Sequence, residues 1–329
     1  MRAWRVHEYG DFRDQLKQED LEPLKAQEGT SVLEVRAAGL MFADLLNIAG
    51  KYQVKAPLPF VPGCEVAGVV KHPSPDGPFK EGDRVVTLQM SGGFAEEMHS
   101  IDAMSFPIPE GMSFSDAASL TVNYQTSYFA LVHRSRLQPG ETLLVHGGAG
   151  GVGTAAIQIG KALGATVIAT ASTPEKLDIC KQCGADHVIN YKEADFVSEV
   201  KSLTNHNGAN VIYDPVGGDV FSKSTKCIAF GGRLVTIGFA SGKIPDISVN
   251  RILVKNIDII GLYWGNYQFQ QPELIKSTQE SLYEWYQEGK IKPILYKEFA
   301  FDDLPVALAS LAERKSYGKV ILQGPGGME

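Results

Sequence analysis

The chain has 329 residues, with an apolar fraction of 44% and a charged fraction of 21%, a composition typical of a globular protein with about two domains. Its net charge of −7 argues against a general affinity for nucleic acid or for an anionic membrane surface. No apolar run approaches the ~20 residues of a membrane span, and the N-terminal residues lack the apolar segment of a secretory signal. We therefore expect a cytoplasmic protein, or a mitochondrial one if a transit peptide has been removed.

The first part of the chain, residues 1–122, is rich in Val, Gly and Pro. Short strand-like runs follow one another, among them SVLEVRAA (31–38), EVAGVV (65–70) and DRVVTL (83–88). β-Branched residues bounded by turn residues are typical of short strands. The sequence therefore predicts an irregular, mostly β domain.

The pattern changes at residue 123, where apolar strands begin to alternate with helical segments. TLLVHGG (142–148) predicts a buried strand, GVGTAAIQIGKALG (151–164) a helix, and TVIATAS (166–172) the next strand. This alternation, which continues to residue 265, indicates a parallel, doubly wound sheet. The remaining residues, 266–329, carry two more helices and two more strands, and we expect this tail to return to the first domain.

A glycine-rich loop, HGGAGGVG (146–153), lies between the first strand and the first helix of this second domain. Gly148, Gly150 and Gly153 form the GxGxxG pattern, which allows a tight turn, close approach of a pyrophosphate and close packing of helix on strand. The helix N-terminus adds unpaired N–H donors and the positive end of the helix dipole. The loop predicts a dinucleotide site; the alternative is a glycine-rich turn without a ligand.

The end of the second strand bears on the choice of cofactor. NAD-preferring sites usually place an acidic residue here to bind the ribose 2′-hydroxyl, but Thr170, Ala171 and Ser172 carry no negative charge. Ser172 can donate a hydrogen bond, and Lys176 supplies a positive charge one helical turn later. We therefore predict NADPH rather than NADH; the alternative is that Lys176 is only a solvated helix residue.

These features resemble the medium-chain dehydrogenase/reductase superfamily over the whole chain, and within it the zinc-independent quinone oxidoreductases. The resemblance is carried by FADLLNIAGKYQ, PLPFVPGCEVAG, VNYQTSY, LQPGETLLVHGGAGGVG, GADHVINY, VGGDVF, GLYWGNY and KSYGKVIL. It implies an α/β fold with a GroES-like, mostly β catalytic domain at 1–122 and 266–329 and a Rossmann NADPH-binding domain at 123–265. It also implies an active cleft between the two domains.

Three positions of the family pattern distinguish zinc-dependent from zinc-independent chains, and in this sequence they are Met41, Cys64 and Val122. A cysteine thiolate is a good zinc ligand, but an open catalytic zinc site needs about three protein ligands, and neither Met41 nor Val122 can supply the missing thiolates. The stretch QMSGGFAEEMHS (89–100) has no cysteine for the structural zinc lobe of the zinc branch. We therefore predict that no metal is bound.

Without a Lewis acid, substrates that already carry an electron sink are favoured, such as quinones and α,β-unsaturated carbonyl compounds. Reduction of an activated C=C bond also needs a proton, and by the resemblance Tyr52 matches a tyrosine proposed as the donor in enoyl-thioester reductases. A phenol is a competent proton donor, although Tyr52 can equally be a wall residue that orients the substrate. Met41 stands where quinone oxidoreductases generally carry Asn, so a polar contact is lost.

The resemblance also assigns binding residues. Those expected to contact the cofactor are Thr126 near the nicotinamide amide, Gly150, Gly151 and Val152 at the pyrophosphate, Ser172, Lys176 and Tyr191 around the 2′-phosphate, and Val216, Phe239, Leu262 and Tyr263 along the ribose and nicotinamide. Those expected to line the substrate pocket are Met41, Tyr52, Cys64, Tyr124 and Trp264. The Cys64 thiol is in addition a candidate target for electrophilic substrates. The family strand equivalent to IDIIGLY (257–263) commonly pairs across a two-fold axis, which implies a homodimer.

Three functions follow as hypotheses, and the first is favoured. In the first, the chain is an NADPH-dependent reductase of quinones or enones whose partners are a small electrophilic substrate and a second copy of the chain. In the second, the chain reduces an enoyl thioester, which the presence of Tyr52 favours. In the third, it binds NADPH but has lost catalytic activity, which the presence of Met41 favours.

Overall fold

The computed structural model describes residues 1–327 of the chain. Its strands are β1 (Arg2–Val6), β2 (Leu16–Asp20), β3 (Thr30–Leu40), β4 (Glu65–His72), β5 (Arg84–Leu88), β6 (Glu97–Ile101), β7 (Ser105–Pro107), β8 (Thr142–Val145), β9 (Thr166–Ala171), β10 (His187–Asn190), β11 (Ala209–Asp214), β12 (Ile228–Thr236), β13 (Asp258–Gly261), β14 (Leu295–Phe299) and β15 (Lys319–Gln323). Its α-helices are α1 (Phe12–Gln15), α2 (Phe42–Ile48), α3 (Phe114–Tyr128), α4 (Gly151–Ala162), α5 (Pro174–Gln182), α6 (Phe196–Leu203), α7 (Gly218–Cys227), α8 (Val249–Lys255), α9 (Tyr267–Gln270), α10 (Pro272–Gln287) and α11 (Leu304–Ala312). None of the helices in this part of the chain combines the length and the apolar character needed to cross a membrane.

The chain divides into two compact units. The first consists of Met1–Val122 together with the chain from Leu295 onward, and the second is Asn123–Ile294. The first division coincides with the change of sequence pattern after residue 122. The second division lies later than the pattern placed it, because the segment after residue 265 stays with the second unit as far as Ile294.

Helix α10 accounts for this later division. It begins with Pro272 at its first turn, which suits a position whose backbone N–H has no helical partner. The amide of Gln125 in α3 donates to the amide oxygen of Gln279 in α10 at 2.7 Å, and both side chains are buried. The sequence shows that α10 has an apolar face but not which core that face covers.

The first unit is built on a mostly antiparallel sheet. Its strand order is β14–β15–β3–β4–β5–β7, and β6 also pairs with β3, while β1 and β2 form a separate antiparallel pair. The long strand β3 changes register against β4 between Val32 and Leu33 and again between Val35 and Ala37. Such irregularities bend a strand and increase its twist. The mostly β first domain predicted from the sequence is confirmed.

The C-terminal tail completes the core of this unit. Strand β15 pairs antiparallel with β3 and parallel with β14. Leu304 and Leu308 of α11 and Val320 and Leu322 of β15 are buried in one apolar cluster with Trp4 of β1. The chain from Leu295 onward therefore shares one core with the N-terminal strands, whereas the sequence predicted this for the whole tail from residue 266.

The second unit is a six-stranded parallel sheet with the order β10–β9–β8–β11–β12–β13. From β8 the chain moves outward through β9 to β10, and then returns to the other side of β8 at β11. This is the doubly wound arrangement predicted from the sequence. In such a sheet, ligands bind outside the carboxyl ends of the strands where the order reverses, here β8 and β11.

Local sequence explains the first strand and helix of this unit. Leu143, Leu144 and Val145 are all buried, as expected for a parallel strand covered on both faces. Helix α4 ends at Ala162, and Gly164 follows with φ +79°, a left-handed conformation that favours glycine and stops a helix.

Candidate active site

The glycine loop forms a sharp turn between β8 and α4. Gly147 has φ +61°, and the N–H of Gly150 donates to its carbonyl oxygen at 2.9 Å. A Cβ atom at Gly153 would overlap that same carbonyl oxygen, and one at Gly148 would lie 2.9 Å from the Cys180 sulfur. Glycine is therefore required by space at Gly148 and Gly153 and by conformation at Gly147.

Helix α4 starts directly from this turn and has no side-chain cap. Gly150 is its N-cap residue, in an extended conformation, and it supplies no side-chain cap to the first helical N–H groups. Open N–H donors at a helix N-terminus, reached through a glycine turn, form a site for a phosphate group. The residues of the loop therefore fit the pyrophosphate of a dinucleotide.

The ends of β9 and β10 are joined beside the loop. The N–H of Gly148 donates to Thr170 at 2.9 Å, and the N–H of Tyr191 donates to Ala171 at 3.2 Å. These bonds place Ser172, the first residue after β9, between the glycine loop and Tyr191. Tyr191 itself is 48% exposed. The segment proposed for the 2′-phosphate thus lies beside the glycine loop, at the carboxyl ends of the parallel strands.

Helix α5 carries Lys176 into this segment. Thr173 caps the helix by accepting from the N–H of Lys176 at 3.3 Å, and Pro174 occupies the first turn. Ser172 and Lys176 are both partly exposed. The cap fixes the start of α5 directly after Ser172, so both side chains belong to one short, ordered turn.

The loops after β11 and β12 interlock at the same edge. The N–H of Ser241 donates to Val216 at 3.0 Å. Gly217 has φ +71°, and a Cβ atom there would lie 2.8 Å from the ring of Phe239. The structure therefore brings Val216 and Phe239 together, on the side of β8 opposite to β9.

Asp214, which the sequence reasoning did not single out, holds the first of these loops. One carboxylate oxygen accepts from the N–H groups of Val216 and Gly217 at 2.8 and 3.0 Å. The side chain is fully buried, and burial raises the pKa of Asp214 above its ordinary value. The signal was available in the sequence, because an aspartate followed by Pro and Gly is typical of a turn in which the side chain accepts backbone N–H groups.

The residues proposed for the nicotinamide and substrate differ in exposure. Leu262 follows β13 and donates its N–H to Thr236 of β12 at 3.1 Å. Tyr263 is exposed, whereas Trp264, Leu262 and Thr126 are buried. The neighbouring Tyr263 is therefore the one of these four whose side chain is open to solvent.

Tyr124 has a packing role in the second unit. It is 2% exposed, and its hydroxyl donates to the Gln158 side chain of α4 at 3.1 Å. The same Gln158 accepts from the N–H of Lys292 at 2.7 Å. The Tyr124 hydroxyl thus helps to attach α3 to α4, and its expected place in the substrate pocket stays a prediction.

A buried polar cluster surrounds Met41 and Cys64 in the first unit. Met41 is the N-cap residue of α2, and its N–H donates to Asp44 at 2.7 Å. The Cys64 thiol lies 3.5 Å from the other oxygen of Asp44 and 3.3 Å from the carbonyl oxygen of Met90. The Asn47 amide nitrogen lies 3.9 Å from the same sulfur. One carboxylate thus fixes both the start of α2 and the thiol.

Burial is the main cause of the raised pKa values of Asp44 and Cys64 in this cluster. It raises the pKa of Asp44 to about 6. Burial, and secondly the negative charge of Asp44, raise the pKa of the Cys64 thiol well above its usual value. Reactive cysteines are exposed and have lowered pKa values, so the environment of Cys64 contradicts the expectation that it reacts with electrophilic substrates.

A buried ion pair lies next to Cys64. Lys319 of β15 donates to Glu65 at 2.5 Å, and the exposed fractions of the two side chains are 3% and 0%. The other oxygen of Glu65 accepts from the N–H of Val122 at 2.7 Å. Burial raises the pKa of Glu65, and the Lys319 ammonium opposes that rise.

The three positions of the family pattern provide few donors for a catalytic zinc ion. Only Cys64 among them carries a zinc donor, and its thiol is engaged with Asp44 and Met90. Within residues 1–327, no group of three or more His, Cys, Asp or Glu side chains is arranged to hold a metal ion.

Tyr52 lies in the bend that follows α2 and is partly buried.

Comparison with known proteins agrees with this architecture. Residues 27–110 match the family described as alcohol dehydrogenase GroES-like domain, and residues 151–279 match that described as zinc-binding dehydrogenase. Met41, Cys64 and Val122 all lie outside the second matched region.

A curated relative, the quinone oxidoreductase-like protein 2 homolog of Nematostella vectensis, is 42% identical over 300 residues, which cover 89% of this chain and 82% of the relative. The crystal structure of Escherichia coli quinone oxidoreductase complexed with NADPH superposes with a TM-score of 0.91 and 28% identity over 98% of this chain and 100% of that one. The crystal structure of the CurK enoyl reductase superposes with a TM-score of 0.87 and 28% identity over 98% of both chains. The chain belongs to the quinone oxidoreductase family of the medium-chain dehydrogenases/reductases. The resemblance drawn from the sequence motifs is therefore confirmed.

Proposed function

We propose that this chain is an NADPH-dependent oxidoreductase that reduces a small electrophilic acceptor, a quinone or an α,β-unsaturated carbonyl compound, without a metal ion. The observation that carries the proposal is the uncapped N-terminus of α4, reached through a turn that requires glycine. The family of the chain and the NADPH complex of its Escherichia coli relative support it.

The residues that would hold NADPH lie at the carboxyl ends of adjacent strands. Gly151 and Val152 would offer backbone N–H groups to the pyrophosphate, and Gly150, whose own N–H is bonded to Gly147, would let it approach the backbone closely. Ser172 and Lys176 would bind the 2′-phosphate, because charge-assisted hydrogen bonds favour a phosphate and no carboxylate follows β9 directly. When bound, the cofactor supplies a hydride. Contacts from Thr126, Tyr191, Val216, Phe239, Leu262 and Tyr263 stay predictions.

The chain contributes orientation and a proton to the acceptor. The thioether of Met41 is only a weak acceptor, so this side chain offers little polar stabilisation to a substrate oxygen. Acceptors that delocalise negative charge themselves are therefore favoured. The Tyr52 hydroxyl would donate a proton to the substrate or orient it.

Stopped-flow measurement of NADPH oxidation with quinones, enones and enals tests the proposal, and we expect turnover with at least one class. Lys176→Ala should raise the Kd for NADPH about tenfold, which corresponds to one lost charge-assisted hydrogen bond, and should raise the Kd for NADH less. Lys181→Ala is the matched control, since Lys181 lies on the same helix and pairs with Asp178. Equal changes in the two Kd values would contradict the 2′-phosphate assignment, and NADPH binding without any turnover would favour decayed catalysis.

Reduction of an enoyl thioester is a second candidate. The structural likeness to the CurK enoyl reductase and the presence of Tyr52 favour it. Tyr52→Phe should slow reduction of a C=C bond by about 100-fold if Tyr52 is the proton donor, and should leave quinone reduction much less affected. The rates of the parent protein with a short enoyl-CoA and with the matching simple enone show which of the two substrate classes it prefers. If Tyr52→Phe reduces both compounds at the rate of the parent, Tyr52 only lines the pocket.

We also propose that the chain forms a homodimer through the β13 edge of the second sheet. Strand β13 is the last strand of that sheet. The helix before it, α8, exposes Val249, Leu253 and Val254 by 71% or more. An unpaired strand edge beside exposed apolar side chains favours association. Size-exclusion chromatography with light scattering should give twice the chain mass, and Leu253→Glu should shift it to the monomer; a monomeric parent protein would refute the proposal.

A further inference from the structure

His146 is buried at the point where β8 enters the glycine loop. It is 2% exposed, and its N–H donates to Tyr213 of β11 at 3.1 Å. The residue therefore stands between the strand that leads into the glycine loop and the neighbouring strand at the reversal of the sheet. Its ring packs edge-on against Phe196, with 4.8 Å between the ring centres.

Both ring nitrogens of His146 have hydroxyl partners from other elements. Nδ1 lies 3.1 Å from the Thr170 hydroxyl of β9, and Nε2 lies 2.9 Å from the Ser224 hydroxyl of α7. Thr170 and Ser224 are themselves buried. One imidazole thus connects the strand before the 2′-phosphate segment with the helix that follows the Val216 loop.

The Ser224 hydroxyl has a second partner, the carbonyl oxygen of Val220 at 2.7 Å, which can only accept. We assign the single serine proton to Val220, so that Nε2 of the imidazole carries the ring proton and Nδ1 accepts from the Thr170 hydroxyl. Burial lowers the pKa of His146 to about 3, so the ring is neutral at physiological pH.

The contacts of Thr170 extend this connection to the cofactor loops. Its carbonyl oxygen accepts from Gly148 of the glycine loop at 2.9 Å, while its hydroxyl binds His146. Two residues later the chain reaches Ser172. A shift of Thr170 would therefore move both the pyrophosphate loop and the 2′-phosphate segment.

We propose that His146 is a positioning residue that fixes the spacing between the pyrophosphate loop and the 2′-phosphate segment, and so sets the affinity for NADPH and its preference over NADH. This inference rests on the proposed function, since it concerns the same cofactor. The ring contacts no cofactor atom in this role; it acts through Thr170 and through the helix that carries Ser224.

Substitutions that keep shape and remove hydrogen bonds test the inference. His146→Phe keeps an aromatic ring, and Thr170→Val keeps the branched shape of threonine without its hydroxyl. We expect each to raise the Kd for NADPH about tenfold, because the two phosphate-binding segments are then held less firmly in register, and to raise the Kd for NADH less. The kcat at saturating NADPH should change by less than about twofold, because a group that acts on cofactor binding alone leaves the bound reaction intact.

Two controls separate positioning from general damage. Thr170→Ser retains the hydroxyl and should restore the affinity for NADPH to within about twofold of that of the parent protein. His133→Phe removes another histidine of the second unit, whose Nε2 lies 3.3 Å from Thr278, and should leave both Kd values unchanged. If His146→Phe does not fold, Thr170→Val and Ser224→Ala carry the test.

Nitrogen NMR of the protein with labelled histidine, with the His146 signals assigned by their loss in His146→Phe, reports the tautomer and the protonation of this ring without cofactor. We expect a neutral ring protonated at Nε2 that does not titrate between about pH 5 and pH 9, where an exposed histidine does. A ring protonated at Nδ1, or one that titrates in that range, would overturn the inference. If the parent protein binds no NADPH, the proposed function fails; if it binds NADPH and the His146 and Thr170 variants bind it equally well, only the positioning role fails.

Discussion

The buried ion pair between Lys319 and Glu65 joins the C-terminal strand β15 to β4, across 254 residues of sequence. At 2.5 Å, with an effective dielectric constant of about 20, the gross attraction is about 7 kcal/mol. Most of it offsets the desolvation of two charges, so the net value of the pair is small. Removing one partner alone is different, because it leaves a buried charge without compensation. Lys319→Met should therefore destabilise the first unit by about 3–5 kcal/mol.

Thermal unfolding measures this effect. Each kcal/mol lowers the melting temperature of a domain of this size by about 2–4 °C, so we expect a loss of about 10 °C for Lys319→Met. The double variant Glu65→Gln with Lys319→Met removes both charges and keeps an acceptor for the N–H of Val122, and it should recover at least half of that loss. Lys315→Met is the control, since Lys315 pairs with Glu313 on the surface, and it should leave the melting temperature unchanged.

The pH dependence of the same variants has a definite sign. Burial raises the pKa of Glu65 in the folded protein, and without Lys319 only the backbone N–H groups of Val122 and Thr121 oppose that rise. The folded state then holds a proton that the unfolded state releases, so stability falls as pH rises through the folded pKa. The deficit of Lys319→Met should grow from acid to neutral pH and that of the double variant should not. A melting temperature within 2 °C of the parent, or a double variant no better than the single one, would refute this reasoning.

Three further outcomes follow from the described contacts. Gly153→Ala should raise the Kd for NADPH at least about tenfold, because its Cβ would overlap the carbonyl oxygen of Gly147. Gly261 has open space around it, so Gly261→Ala should leave this Kd unchanged. Equal Kd values for the two variants in fluorescence titration would contradict the steric argument. Burial raises the pKa of Asp44 to about 6, so the parent protein loses stability as pH rises from about 4 to about 6. In chemical denaturation, the free energy of unfolding of Asp44→Asn should therefore increase relative to that of the parent by up to about 3 kcal/mol over that window. A difference between the two free energies that stays constant with pH would exclude a raised pKa. Cys64 should resist alkylation in the native protein and react after unfolding, because its thiol is buried and protonated; rapid native modification seen by mass spectrometry would contradict this.

The sequence by itself determined the two kinds of unit, the parallel sheet and the place of the dinucleotide loop. These features depend on local patterns: continuous apolar runs make covered strands, strand–helix alternation makes a doubly wound sheet, and glycines at fixed spacing permit a turn that other residues cannot form. For the same reason the sequence placed Ser172, Val216 and Phe239 after strands, and parallel strands bring such residues to one edge. The boundary at Leu295 was not local, because it depends on which core α10 covers.

The roles of individual side chains were decided by tertiary structure. Cys64 suggests a zinc ligand or a nucleophile by its residue type, but its burial beside Asp44 makes it a protonated thiol. His146 reads as a strand-end residue until Thr170 and Ser224, 24 and 78 residues away, occupy its two nitrogens. No periodicity records such distant partners, and protonation depends on the charges and solvent that folding places around a group. The local pattern thus predicts where the candidate site lies, and the three-dimensional packing decides what each of its residues can do.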